Sequence, residues 1–420
     1  MTGFFLSLLI ILTPISHASI MPQGMMGISG NNPVNFIWLI TFILVYSQGG
    51  KLQEPISRYF RPAFVTFILA YTIAAIWTVL DINNLHPTSS SQQFTSGSSA
   101  FISLLFKQAQ IIITGLMVYK YCLINGTKQI ENAASLIPLL ILPFMLYYFY
   151  INSAGGVDYR MGRELISNKM ALNANEIGGL AVAILAYNLG KAKQQFTKLD
   201  FVSIGSSLFV VVFTLSRMAF IATLLIFLFT LKKLTIKQKI TSISLLIIVI
   251  TAFAPMLLSR INYGIGDRSD TKAFNQDINA NELSAGRVDY IWIPALHMIE
   301  EHPVLGDGLL SIWKGDYIVP KELMKPFQEI HKPSHPHNAY LQIALDMGFV
   351  GILILIFFLK SMWVTAKHNT GFLYAFISWL LMGLTGSTFY PDLYTFPIWI
   401  YYAITCATPR YTPLSPAALH

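Results

Sequence analysis

Arg217, Arg287 and His337 are the side chains in these 420 residues whose types and settings best suit chemistry. Each stands at or beside the start of a helical pattern. The stretch Ser259–Gly351 holds two of them. Up to His337 it is the longest polar interval of a very apolar chain, and it carries His297, His302, His331, His335 and His337, five of the nine histidines. A polar loop of this length between hydrophobic helices, rich in ionisable groups, is where chemistry is expected. His337 precedes the apolar run Asn338–Leu359. The positive end of that helix disfavours an imidazolium, so His337 stays neutral and able to accept a proton. Three histidines in seven residues also invite a metal reading. Pro333 and Pro336 break any helical His-x-x-x-His face and no adjacent carboxylate completes a site, so no metal is expected there.

Arg287 falls in the first turn of a helix expected over about 285–301, with Ser284 as its cap and Val288, Ile291, Trp292, Ala295, Met298 and Ile299 on its apolar face. A cation there is electrostatically poor unless an anion is shared. Pro294 predicts a kink or break, Gly306-Asp307-Gly308 a tight turn, and 321–330 a second short helix. Arg217 lies at the tip of a hairpin that the 200–231 interval must form, because that interval is too long for one span and has lysine-rich flanks on both sides. It is read either as a residue of the site or as a snorkelling interfacial arginine. The segment between 152 and 171 carries Arg160, Arg163 and Lys169 on the side where cations are not expected. They suit an anionic ligand, or equally pairing with Asp158 and Glu164. HExxH, P-loop and GxSxG patterns are absent.

The elements that must position these residues are membrane helices. The chain is 54% hydrophobic and 11% charged, against about a quarter charged in soluble domains. Apolar runs recur at about 3–20, 34–48, 62–80, 101–122, 134–151, 172–190, 200–216, 218–231, 240–258, 338–359, 371–390 and 395–407. The expected fold is therefore all-α and polytopic, with about twelve transmembrane helices. Helices 1–9 occupy 1–258, a large external loop with short helices 259–337, helices 10–12 residues 338–407, and a cytoplasmic tail 408–420. Loop 259–337 has eight Lys/Arg and eleven Asp/Glu, a net −3 against +8 for the whole, so the remainder carries +11. That surplus lies in alternate short connections, which reads as topology and not as nucleic-acid binding. Those connections hold Lys51, Arg58 and Arg61; Lys120 and Lys128; Lys191, Lys193 and Lys198; Lys232, Lys233, Lys237 and Lys239; and Lys360 and Lys367. They face the cytoplasm, both termini lie inside, and the long loop lies outside. The first apolar run lacks a basic start and more spans follow, so it is read as a retained helix. Cys122 and Cys406 are remote from the loop and give it no disulfide or thiolate metal site.

His337-Asn338, then nine residues, then Gly348-Phe349-Val350-Gly351 resembles the signature of the bacterial O-antigen ligase and O-antigen polymerase superfamily. Arg287…Trp292…Glu300…Pro303-Val304-Leu305-Gly306 resembles its loop helix and turn, and Ser216-Arg217 its Ser-Arg at the end of an earlier span. The topology fits across most of the chain, the motifs over about 215–351. The resemblance implies an integral inner-membrane glycosyltransferase that needs no metal or other cofactor and works at the periplasmic face. Its donor would be a glycan on undecaprenyl pyrophosphate. Its acceptor would be a sugar hydroxyl of lipid A–core in a ligase, the growing glycan in a polymerase, or a protein hydroxyl in an O-oligosaccharyltransferase. Arg217 and Arg287 match the family's functional arginines and His337 its functional histidine. Ser216, Asn338, Gly306, Gly348 and Gly351 belong to the supporting motif. Guanidinium groups suit a leaving pyrophosphate because they stay charged and offer paired donors. A neutral histidine can take the proton of a sugar hydroxyl or position the acceptor, and direct displacement inverts the anomeric centre. A transporter of lipid-linked glycan is the rival of another class. It predicts ionisable residues through the whole membrane, whereas Lys107, Glu176 and Asp346 all fall in outer halves of spans.

Reporter fusions at Ser98 and Asp277 are expected to report the periplasm, and those at Lys128 and Lys237 the cytoplasm. A cytoplasmic signal at Asp277 would put the histidine on the wrong side of the membrane for this chemistry.

Overall fold

The computed structural model describes residues 1–17, 33–48, 61–85, 97–153, 174–191, 197–214, 216–231, 236, 251, 291–313, 336–386 and 395–408. Among them the regular structure is helical, without strands. The α-helices are α1 Thr2–His17, α2 Pro33–Ser47, α3 Pro62–Leu80, α4 Gly97–Asn125, α5 Lys128–Ser153, α6 Ala174–Gly190, α7 Lys198–Thr214, α8 Arg217–Leu231, α9 Ile293–Glu301, α10 Ala339–Ala366, α11 Thr370–Gly383 and α12 Thr395–Ala407. Eleven of the twelve apolar runs coincide with a helix, and the run 240–258 lies outside the described residues apart from Thr251. Arg160, Arg163, Ser284, Arg287, His331, His335, the expected helix 321–330 and the tail after Thr408 also lie outside them. Within α5, Lys128–Tyr147 is long and apolar enough to cross a membrane, and so is α10; α1, α2, α3, α8, α11 and α12 hold shorter apolar stretches of 10–17 residues.

Contacts between helix ends fix how the elements run. Lys191, just past α6, pairs with Asp200 in the first turn of α7 at 2.6 Å and with Glu131 of α5 at 3.5 Å. Gly190 is pressed against Gly371, and Tyr374 Oη donates to the Phe229 carbonyl at 3.4 Å. One end of the bundle therefore holds the starts of α5, α7 and α11 with the ends of α6 and α8. Gln48 Nε2, beside the end of α2, bonds Thr2 Oγ1, and Gly3 lies against Tyr121 and Gln129, so α1, α2 and α4 join the same end. At the opposite end, Gly178 of α6 is packed against Thr214, Ser216 and Ala219, and Trp379 Nε1 reaches Thr395 Oγ1 at 3.4 Å. Lys120, Lys128, Lys191, Lys198 and Lys367 fall at the first end, which is the clustering the charge pattern predicts.

The sequence reading treats 338–359 as one span, and here the structure differs. Gly348 has φ 61 and ψ −156, so α10 is two helical segments joined at a break. From 349 onward one side is bare and apolar, with Phe349, Leu353, Ile356 and Phe357 exposed. From 339 to 348 no residue is exposed. The first segment is inside the bundle and the second at its perimeter. Tyr340 Oη donates to the Leu380 carbonyl at 2.8 Å. A straight α10 would hold Tyr340 about 39 Å from its Ala366 end, whereas Leu380 is only about 15 Å along α11 from the same end, at 1.5 Å per residue. The bond closes because the helix turns inward. Two smaller points follow. Of the helix expected over about 285–301, residues 285–290 lie outside the described ones; Ile291–Trp292 are π-helical and the α-helix α9 begins at Ile293, with Pro294 in its first turn. α11 ends at Gly383, short of the expected 390.

Candidate active site

Arg217 and His337 stand at the same end of the bundle. The end of α8 meets the start of α11 through Tyr374 and Phe229, and the start of α10 meets the last part of α11 through Tyr340 and Leu380. The start of α8 and the start of α10 therefore share the end opposite the lysines.

Ser216 is buried and caps α8, with its Oγ accepting from the Ala219 amide at 3.4 Å and its carbonyl from Phe220 at 3.0 Å. Arg217 is the first helical residue and half-buried. A guanidinium beside unpaired helix N–H groups is repelled by the helix dipole, and the combination becomes favourable when an anion is shared between them. Gly178 sets this junction from below. A Cβ there would lie 2.9 Å from Ala219 Cβ and 3.3 Å from Ser216 Cβ. Glu176 stands two residues before Gly178, and Lys107 of α4 is the charge that acts on it.

His337 is held from both sides. Asn338 caps α10, its Oδ1 accepting from the amides of Tyr340 at 3.0 Å and Leu341 at 3.1 Å. Trp292 Nε1, at the head of α9, donates to the Pro336 carbonyl at 3.0 Å. Between these anchors His337 adopts φ 50, a left-handed conformation that histidine tolerates better than most residues, and its Nδ1 is shielded from solvent.

The turn after α9 holds the break in α10. The amides of Asp307 and Gly308 donate to the carbonyls of Leu345 and Asp346, both at 2.9 Å. The amides of Phe349 and Val350 donate to the carbonyls of Pro303, at 2.8 Å, and Val304, at 3.2 Å. The carbonyls and amides that a broken helix leaves without partners are thus taken by one loop. This clasp explains two motif glycines. A Cβ on Gly306, φ 68, would lie 2.5 Å from the Leu345 carbonyl oxygen; one on Gly348 would lie 2.5 Å from that of Val304. Gly351 is packed against Met347 and the Ile343 carbonyl one turn on.

A buried polar cluster fastens the clasp. Asp346, 1% exposed, accepts from Ser311 Oγ at 2.8 Å and from Gln342 Nε2 at 2.9 and 3.0 Å. Thr78 Oγ1 of α3 lies 3.1 Å from the Leu309 carbonyl. Ser311, Gln342, Thr78 and Gly178 carry no chemical signal of their own in the sequence. The i,i+4 spacing of Gln342 and Asp346 was the available hint. Among the described residues, no three His, Cys, Asp or Glu side chains stand together as a metal site requires.

Residues 202–356 match the family model of the O-antigen ligase. The match covers 155 of the 420 residues and supports the O-antigen ligase/polymerase superfamily. The matched segment contains Ser216, Arg217, Arg287, Gly306, His337, Asn338, Gly348 and Gly351, and leaves out Arg160 and Arg163. Members of this superfamily are membrane proteins and glycosyltransferase-like enzymes, and the two long apolar helices fit that placement. No curated protein matches the chain. In this chain the His-Asn and Gly-x-x-Gly halves of the pattern do different structural work: Asn338 caps α10 just after His337, and Gly348 forms the break within it.

Gly348→Ala is expected to destabilise the protein by about 1–3 kcal/mol, because its φ/ψ region is open essentially to glycine alone. Asp346→Ala strands two buried donors and is expected to cost about 1–3 kcal/mol. Thermal unfolding in detergent reads both, and a parent-like midpoint for either variant contradicts the clasp or its fastening.

Proposed function

We propose that this chain is an O-antigen ligase that transfers a glycan from undecaprenyl pyrophosphate to a sugar hydroxyl of lipid A–core. The reaction runs at the periplasmic face of the inner membrane, within a twelve-span chain whose lysine-bearing end is cytoplasmic. The observation that supports the reading is the placement of the starts of α8 and α10, with Arg217 and His337, toward the end of the bundle away from the lysines. The O-antigen ligase match over 202–356 supports the reaction class.

The chemistry follows from the two settings. The donor's pyrophosphate sits against Arg217 and the first-turn amides of α8, with Arg287 as a second guanidinium. Arg160 and Arg163 are further candidates, outside the matched segment. The acceptor hydroxyl attacks the anomeric carbon and gives its proton to the imidazole of His337. The bond from that carbon to the phosphate oxygen breaks, and charge gathers on the leaving undecaprenyl pyrophosphate, where the guanidinium groups stabilise it. Attack opposite the leaving group inverts the anomeric centre. No metal or other cofactor has a part in these steps. The lipid donor arrives sideways through the membrane, and nucleic acid is not a partner. A polymerase would use the same site with the growing glycan as acceptor, and a protein O-oligosaccharyltransferase would use a protein hydroxyl. A deletion strain separates the first two: unligated lipid-linked long chains mark a ligase, and a core with one repeat marks a polymerase.

Arg217→Lys keeps the charge and loses the planar pair of donors, and is expected to lose about 2–4 kcal/mol of transition-state stabilisation. His337→Ala is expected to slow transfer by about 10²–10⁴-fold while donor affinity stays near that of the parent. Transfer is expected to survive EDTA. Transfer rate and donor affinity, measured at equal protein level, decide the roles. Parent-like transfer in either variant, or loss on chelation with recovery by zinc, contradicts the corresponding assignment.

A further inference from the structure

The turn that clasps α10 has a second side. Val304 and Leu305 are 59% and 60% exposed, and Phe349, whose amide bonds the Pro303 carbonyl, is 61% exposed. Val350 and Leu353 continue the same bare apolar surface down α10, a helix long and apolar enough to cross a membrane. Across the clasp, Gly308 is pressed against Thr78 and Ala74 of α3, whose Ile73, Ile76, Trp77 and Leu80 are also bare. Further along the turn, Leu309, Ser311 and Ile312 are buried. Charge stops at its edges. His302 is exposed at one side, where its Nε2 lies 3.4 Å from the largely buried Asp307 carboxylate, and Glu300 is exposed one turn back.

We infer that residues 303–312 form a re-entrant segment of the membrane domain, whose Val304–Leu305 tip lies among lipid acyl chains beside Phe349, Val350 and Leu353. Irregular backbone is tolerated in hydrocarbon only where its polar groups are satisfied by protein. The four clasp hydrogen bonds supply that for the Pro303 and Val304 carbonyls, the Asp307 and Gly308 amides and the broken helix, and the Gly306 amide adds a bond to the His302 carbonyl at 3.0 Å. An aqueous loop would expose two large aliphatic tips to water at a cost of about 25 cal/mol per Å² of apolar area. The lipid-facing side of α10 continues directly into that tip, which is why the occupant is lipid and not a protein partner. The loop 259–337 is then aqueous only in part. The inference rests on the membrane placement of α10 and not on the identity of donor or acceptor.

The test is a nitroxide label on Leu305→Cys in the full chain, reconstituted in phosphatidylglycerol–phosphatidylethanolamine vesicles. Both native cysteines are buried, and the unsubstituted protein serves as the labelling blank. Labels at Ile356→Cys, on the bare side of α10, and at Glu300→Cys, in water, calibrate the reading. Collision with oxygen is expected to exceed collision with a nickel chelate at 305, as at 356. A nickel-dominated signal like that at 300, or protection from both reagents, overturns the inference. Val304→Cys gives the same reading should Leu305→Cys assemble poorly.

Discussion

A helix broken in mid-course leaves carbonyls on one side of the break and amides on the other without partners, and in a membrane protein water is not there to take them. Here the break is at Gly348, and the partner is a turn about forty residues earlier in the chain. Leu345 and Asp346 accept from Asp307 and Gly308, while Phe349 and Val350 donate to Pro303 and Val304. Once these four bonds are made, the first segment of α10 leaves the perimeter and runs into the bundle, with Asn338 capping its tip and His337 just before it. The direction of the histidine is thus set by peptide groups, and only secondarily by side chains. Asp346, with Ser311 and Gln342, fastens the joint from the buried side.

Arg217 is positioned by a separate device. A serine cap starts α8, and a glycine in α6 lets the junction pack closely beneath it. The arginine and the helix dipole then push in the same direction, toward an anion. This division has a functional sense. On the proposed chemistry, the group that would grip a leaving phosphate and the group that would receive a proton belong to different elements, and each can be disturbed without moving the other. The Lys191–Asp200–Glu131 cluster at the far end holds α5, α6 and α7 in register and keeps a buried ammonium paired.

Much of this was legible in the residues. Apolar run lengths located eleven helices, with one end of α5, α10 and α11 missed by six or seven residues, and charge alternation anticipated which ends cluster lysine. Ser216-Arg217 and His337-Asn338 read correctly as helix starts because caps and first turns have local chemical requirements. The break at Gly348 did not read, since LDMGFVGIL is apolar apart from Asp346 and a glycine inside a helix costs only about 1 kcal/mol. What breaks the helix there is a tertiary partner, and nothing within a local window reveals it. Gly178 was silent for the same reason: its role is close approach, and it appears only when α7 and α8 are packed against it. Pro294 was read as a kink or break in a helix over about 285–301; the chain is π-helical at Ile291–Trp292 and α-helical from Ile293, and residues 285–290 lie outside the described residues.

The most direct measurement is the coupling between the break and the histidine. Transfer rates for Gly348→Ala, His337→Ala and the double variant, at equal amounts of folded protein, form one cycle. If the clasp aims His337, removing the histidine from the Gly348→Ala protein costs far less than removing it from the parent. Full multiplicative losses in the double variant would mean that the break and the histidine act independently, and would contradict the account.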